Sequence, residues 1–379
     1  MTFDAIVIGA GVNGLAAAVH LTAKGWKVLV LERNGVAGGA VKTAEVTLPG
    51  FRHDLYAMNL GLFAGSPFVA AHGKLLAEHG LEFVPAERAF ASVFGDGKWL
   101  GVEREAEAVA RRIGAFSAND EKQWRSLTAG FADRAPHIFA FLGAPMPSFD
   151  LARGLWRAYR AKGYGFLGEL ARLVVSSPRA WLDANFESPQ VKALLAVWGM
   201  HLDFAPDIAG GAIFPYLEAM ASQSFGMALG KGGAEVIVKA MSAAIKAGGG
   251  EVRTSAEVAR IIVEQGRAKG VVLVDGSRVE ARRAVIANVH PRHLFGKLVP
   301  AEAVDGTDAK AAALRPGPAT MMIHLAMDDL PAWPDAALRS YSYVHLAPDV
   351  NMMARTYADA LAGLLPAEPV LVIGQPTVA

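Results

Sequence analysis

A chain of 379 residues that is 53% hydrophobic can bury a large core and is long enough for two domains. Its 37 Lys and Arg are balanced by 36 Asp and Glu, so nothing in the charge calls for a nucleic-acid partner. It has no cysteine, which excludes disulfides, thiol catalysis and thiolate metal sites.

Ala5-Ile6-Val7-Ile8 is an unbroken apolar run, the pattern of a strand buried on both faces of a parallel sheet. It leads into Gly9-Ala10-Gly11-Val12-Asn13-Gly14, a G-x-G-x-x-G turn. Val12, Leu15, Ala16 and Val19 then recur at helical spacing, with Lys24 near the end and Gly25 placed at C′. A second strand, Lys27 to Leu31, ends on Glu32. The order of strand, glycines, helix, strand and acid describes a dinucleotide site. Gly9 turns the chain, Gly11 admits a pyrophosphate and Gly14 lets helix and strand pack closely. The helix N-terminus receives the diphosphate and Glu32 accepts from a ribose diol. Asn13 in the turn and Arg33 after Glu32 are counted with the cofactor-binding residues. Gly38-Gly39 follows, reading either as an ordinary turn or as backbone brought close to a ligand.

No apolar run is long enough for a membrane span, and Met1-Thr2-Phe3-Asp4 lacks the basic start of a signal peptide, so a cytoplasmic protein is expected. Phe90 to Val102 has the look of a hairpin turning at Asp96-Gly97. Glu103 to Ile113 and Asp120 to Leu142 read as helices, the second with Ser117 as a nearby N-cap. From Phe149 to Ala221, Trp156, Tyr159, Phe166, Trp181 and Trp198 alternate with Arg153, Arg157, Arg160 and Lys162. Two accounts stay open: amphipathic helices around a core, or a basic, aromatic face that meets a membrane interface and makes the protein membrane-associated.

From Gly226 the opening pattern returns. Gly230-Lys231-Gly232-Gly233 leads into a helix that stops at Gly248-Gly249-Gly250. Strands are expected at Glu251 to Thr254, Val258 to Glu264, Lys269 to Val274 and Ser277 to Ala281, with Ala284 to Ala287 a return strand ending at Asn288. Further strand-like runs lie at Thr320 to Leu325, Ser342 to Leu346 and Val370 to Ile373. The ten histidines show no metal-ligand spacing, and no G-x-S-x-G elbow is present. No metal site is expected.

These residues together resemble the phytoene desaturase-like FAD oxidoreductases, a branch of the flavin amine oxidase superfamily. The resemblance is carried by Gly9-x-Gly11-x-x-Gly14-Leu15, Glu32 with Gly38-Gly39, Gly50-Phe51-Arg52-His53-Asp54, and the Gly232-Gly233 helix followed by Glu251 to Asn288. It implies an α/β fold: a two-dinucleotide-binding, Rossmann-like FAD domain at 1–66 and 222–296, with a mixed α+β substrate domain at 67–221 and 297–379. It also implies FAD on the first helix, Glu32 on the adenosine ribose and backbone around Val258 at the adenine. His53 and Asp54 would lie towards the isoalloxazine, as candidates for the catalytic centre.

The implied reaction is dehydrogenation of an apolar, isoprenoid- or carotenoid-like substrate by hydride transfer to flavin. The alternatives are a flavin amine oxidase or a truncated nucleotide-binding protein without turnover. Oxygen, a quinone or another carrier is the expected electron acceptor, since there is a single dinucleotide fingerprint. Many carotenoid desaturases carry Pro where this chain has Gly230, which favours the broader branch that includes the pyridine nucleotide-disulphide oxidoreductase domain proteins. The family also closes its flavin site with a late Gly-Asp segment, which is not found after Asn288. That segment is expected from a partner chain, or the sequence is a truncated form.

Overall fold

Strand β1, Thr2–Ile8, is the axis of a six-stranded sheet. The structure, a computed structural model, describes residues 2–304 and 306–378; Met1, Asp305 and Ala379, hence the two ends of the expected domains, lie outside the described residues. The chain divides into two compact units: 1–84 with 228–316 and 321–327, and 85–227 with 317–320 and 328–379.

In the first unit β1 pairs in parallel with β2, Val28–Leu31, on one side and with Arg278–Ala287 on the other. Glu251–Arg253 extends the sheet beyond β2, also in parallel. The sheet is sandwiched. Ala5, Val7, Val28 and Val30 pack on Leu15, Ala18 and Val19 of helix α1, Val12–Thr22, and on Ile237, Met241 and Ala244 of the helix Glu235–Ala247. Phe3, Ile6, Ile8, Leu29 and Leu31 pack instead on Val258, Ile261, Val271 and Val279. Burial on both faces is why the opening run is apolar without alternation. Val258–Glu264, Arg267–Leu273 and Arg278–Ala287 form the antiparallel meander that continues the sheet.

The C-terminal end of α1 follows from local signals. Gly25 has φ 79°, its N–H donates to the Thr22 carbonyl at 2.8 Å, and Trp26 N–H donates to the Leu21 carbonyl at 3.1 Å. That is a Schellman closure with Gly25 at C′. Two expectations need correction. Ser277 to Ala281 and Ala284 to Ala287 are one strand, whose early part pairs with Arg267–Leu273 and whose later part pairs with β1. Thr320 to Leu325 is not a strand: it has no regular structure, and Met321, Ile323 and Leu325 are exposed. An apolar run becomes a strand only where a neighbouring backbone supplies the ladder.

The second unit is a four-stranded sheet beside a helical layer. The hairpin is Arg88–Val93 paired with Trp99–Glu103; Tyr343–Leu346 adds in parallel and Leu371–Gly374 forms the edge. The helices include Ala118–Gly143, Phe149–Val175 (broken at Gly163), Pro178–Asn185, Pro189–Met200 and Ile213–Phe225. Ser117, Ser148, Ser177 and Ser188 each accept an N–H from the first turn of the helix they precede. Among the described residues no helix is long and apolar enough to cross a membrane.

Candidate functional site

The opening turn leaves no room for side chains. Gly9 has φ 96°, and a Cβ there would sit 2.6 Å from the Asn288 carbonyl oxygen. A Cβ on Gly14 would sit 2.3 Å from the Gly9 carbonyl oxygen, and one on Gly11 would be 3.0 Å from Asn288 Nδ2. Helix α1 starts directly after Gly11, which has no side chain to cap it, and no acid occupies the first turn. The unpaired N–H groups of that turn and the positive end of the helix dipole are therefore left to an anion.

Gly38-Gly39 is seated against this turn. Gly38 N–H donates to the Ala10 carbonyl at 2.8 Å, Gly38 bridges Gly11 in parallel, and a Cβ on Gly39 would lie 3.1 Å from Gly11 Cα. The two glycines thus pack backbone to backbone against the Gly9–Gly14 turn, where side chains on them would collide.

Glu32 lies at the end of β2 and is only 6% exposed. Its Oε2 accepts from Ala10 N–H at 2.9 Å; its Oε1 accepts from Asn34 N–H at 3.0 Å and from Asn34 Nδ2 at 2.8 Å. Each carboxylate oxygen has two acceptor positions, so Oε2 keeps one for a further donor such as a ribose hydroxyl. Asn13 and Arg33 are exposed beside these groups. The Val258 segment comes to the same place through its backbone: Glu32 N–H donates to the Arg253 carbonyl, and Ala256 N–H donates to the Glu32 carbonyl, both at 2.8 Å. The Val258 side chain is buried in the core. A glycine cradle, an uncapped helix start and a carboxylate with a spare acceptor fit the diphosphate and ribose of a dinucleotide.

His53 and Asp54 have different surroundings. Thr43–Ala44 pairs with His53–Asp54 in a short ladder. Asp54 Oδ1 accepts from the Thr43 hydroxyl at 2.5 Å and from Ala234 N–H at 2.7 Å, while Thr43 Oγ1 accepts from Glu235 N–H at 3.1 Å. This pair caps the helix Glu235–Ala247, whose own N-cap residue is Ala234 and supplies no side-chain acceptor. Arg52 adds an ion pair to Glu235. Asp54 thus has a structural duty that spacing could not reveal. His53 Nε2 lies 2.7 Å from Thr47 Oγ1, and its ring is 5.3 Å from that of His324, centroid to centroid.

Sequence reasoning missed Asn288 as part of the cradle, having read it only as the end of a strand. The available signal was its position: a strand parallel to β1 must end level with the glycine turn. Thr43 and His324 gave no signal.

The family model described as flavin containing amine oxidoreductase matches residues 13–359. Phytoene desaturase (neurosporene-forming) of Cereibacter sphaeroides is 28% identical over 313 residues, covering 78% of this chain and 54% of the relative. A limonene dehydrogenase component of Castellaniella defragrans is 28% identical over 79% of this chain and 54% of its own length. Pyridine nucleotide-disulfide oxidoreductase domain-containing protein 2 of Mus musculus is 26% identical over 97% of this chain and 69% of its own. The chain therefore spans about half the length of the first two relatives. Among solved structures, an oxidoreductase from Methanosarcina mazei superposes with TM-score 0.55 at 20% identity, over 83% of this chain and 65% of that one. A putrescine oxidase variant gives 0.54 at 20%, over 82% and 63%. These likenesses show the fold.

Proposed function

This chain belongs to the flavin containing amine oxidoreductases, with FAD as cofactor, and from that premise we propose that it dehydrogenates an apolar, isoprenoid- or carotenoid-like substrate. The carrying observation is the cradle itself, in which Gly9, Gly11 and Gly14 leave space against Asn288 while Glu32 grips Ala10. Two relatives bear the names of hydrocarbon-oxidising proteins, phytoene desaturase and limonene dehydrogenase, which supports an apolar substrate.

When bound, the flavin supplies the acceptor for a hydride taken from a C–H bond. The chain's own residues do the rest. The first turn of α1 holds the diphosphate, Glu32 orients the ribose, and the Gly38-Gly39 backbone fixes how closely the group can approach. Desaturation of a hydrocarbon calls for orientation and exclusion of water, with no nucleophile comparable to a catalytic triad. His53 is proposed as a substrate contact, since Asp54 is occupied in capping.

In this proposal oxygen, a quinone or another carrier takes the electrons onward, the reaction belongs to carotenoid biosynthesis or a related hydrocarbon oxidation, and the protein works in the cytoplasm. The test is reconstitution with FAD followed by anaerobic addition of an isoprenoid hydrocarbon. Bleaching of the flavin band with formation of a new double bond is expected. A chain that retains no flavin overturns the cofactor assignment; bleaching by primary amines alone overturns the substrate class.

A further inference from the structure

The second unit carries a large exposed apolar surface. Along the helices Ala118–Gly143 and Phe149–Val175 and the loop between them, Phe139, Met146, Phe149, Trp156 and Tyr164 are 48%, 57%, 89%, 59% and 81% exposed. Soluble surfaces seldom gather so many large apolar side chains without a use for them. Phe149, Arg153, Trp156 and Arg160 fall at i, i+4, i+7 and i+11, one stripe of the helix on which aromatic and cation alternate. The Trp156 ring lies 5.5 Å from that of Tyr159, centroid to centroid.

The charge on this element is one-sided. Arg153, Arg157, Arg160 and Lys162 face a single carboxylate between residues 136 and 164, Asp150. Asp150 is 3.3 Å from Arg153, and Lys162 is paired with Asp133. Arg157 and Arg160 have no ion-pair partner among the described residues. A cleft of about 370 Å³ between the two helices is lined by small residues together with Asp150, Arg153 and Arg157.

We propose that this helical hairpin docks flat on an anionic lipid surface. Phe149 and Trp156 enter the boundary between headgroups and acyl chains, the indole with its N–H towards the headgroups and the phenyl ring on the acyl side. Arg153, Arg157 and Arg160 extend their alkyl stems along the same face and set their guanidinium groups on lipid phosphates. A second copy of the chain fits less well, because self-association would bring the unpaired arginines against each other. The helix is not apolar enough to cross the bilayer, so the contact is confined to one leaflet. The inference rests on this surface alone and is independent of the flavin assignment.

The experiment is co-sedimentation of the 379-residue protein with phosphatidylcholine vesicles and with vesicles containing phosphatidylglycerol. Wild type is expected to partition to the anionic vesicles, with binding that falls as salt is raised. The double variant Phe149→Ser/Trp156→Ser should lose roughly tenfold or more of that partitioning. Arg157→Glu/Arg160→Glu should lose the anionic preference, by roughly fivefold for each arginine. All four residues are exposed, and circular dichroism melts should match wild type. Absence of vesicle binding by wild type, or equal binding by the variants, overturns the proposal. So does a concentration-dependent dimer that the same variants abolish in solution without vesicles.

Discussion

Glu32 and Ala10 lie 22 residues apart in sequence, yet the Ala10 N–H donates directly to Glu32 Oε2 at 2.9 Å. The acid at the end of β2 therefore holds the backbone of the glycine turn, besides being the proposed ribose acceptor. Glu32→Ala should weaken FAD binding by about 1–3 kcal/mol, roughly 5- to 150-fold in Kd, because it leaves a buried N–H unpaired and removes the proposed ribose acceptor. The same variant should lower the melting temperature of the flavin-free protein. Flavin fluorescence titration and a thermal melt measure the two effects separately.

Gly14→Val should abolish FAD retention. Its Cβ would sit 2.3 Å from the Gly9 carbonyl oxygen, so the turn must open. Gly11→Asp brings a carboxylate to the diphosphate position and should also lose the cofactor. Stoichiometric flavin in either purified variant would place the site elsewhere.

Asp54→Ala should destabilise the protein by about 1–2 kcal/mol, the loss expected when a helix start loses its acceptor. His53→Ala should leave stability within about 0.5 kcal/mol while raising KM for the substrate. Melting curves and steady-state kinetics on the two neighbours separate a structural role from a substrate contact. Equal stability losses would undo that distinction.

His345 is fully buried in the second unit, with its Nε2 3.2 Å from that of His201 and no hydrogen-bond partner for its Nδ1 among the described residues. Burial, reinforced by the neighbouring His201 charge, holds its pKa well below 6.5. Above that value the imidazole is neutral in both folded and unfolded chains. On acidification the unfolded chain binds the proton first, so stability falls as pH drops below about 6.5. A His345→Phe variant should show a flatter profile in urea melts between about pH 7 and 5.

Glu218 lies on the largely buried helix Ile213–Phe225, with no hydrogen-bonded or ionic partner among the described residues. Burial raises its pKa from 4.5 to about 7. The folded protein then holds a proton that the unfolded chain releases, and stability declines as pH rises from 4.5 to about 7. Glu218→Gln should stabilise by on the order of 2 kcal/mol at about pH 8 and by almost nothing at about pH 4. A pH-independent gain would show that burial is not the cause.

The opening unit was legible because its determinants are local. The apolar run, the Gly9 turn, the spacing of Leu15 and Val19, and Gly25 at C′ each act within a few residues, and the parts appear in order. The hairpin at Asp96-Gly97 and the Ser117 cap were readable for the same reason. The catalytic candidates were less so: the family resemblance named His53 and Asp54 together, whereas Asp54 caps the distant helix that begins at Glu235.

Sequence alone determined the Gly9–Glu32 cradle, the meander and the resemblance to flavin-dependent oxidoreductases, since backbone conformation and two-faced burial are written in neighbouring residues. Tertiary structure decided that Asn288 backs the glycines, that Gly38-Gly39 meets Gly11, and that residues 278–287 form one strand. It also left Thr320 to Leu325 without a ladder and the Phe149–Arg160 stripe in solvent. The physical reason is the same in each case. A hydrogen-bond partner, a strand neighbour or a covering surface belongs to residues far along the chain, and only folding brings them together.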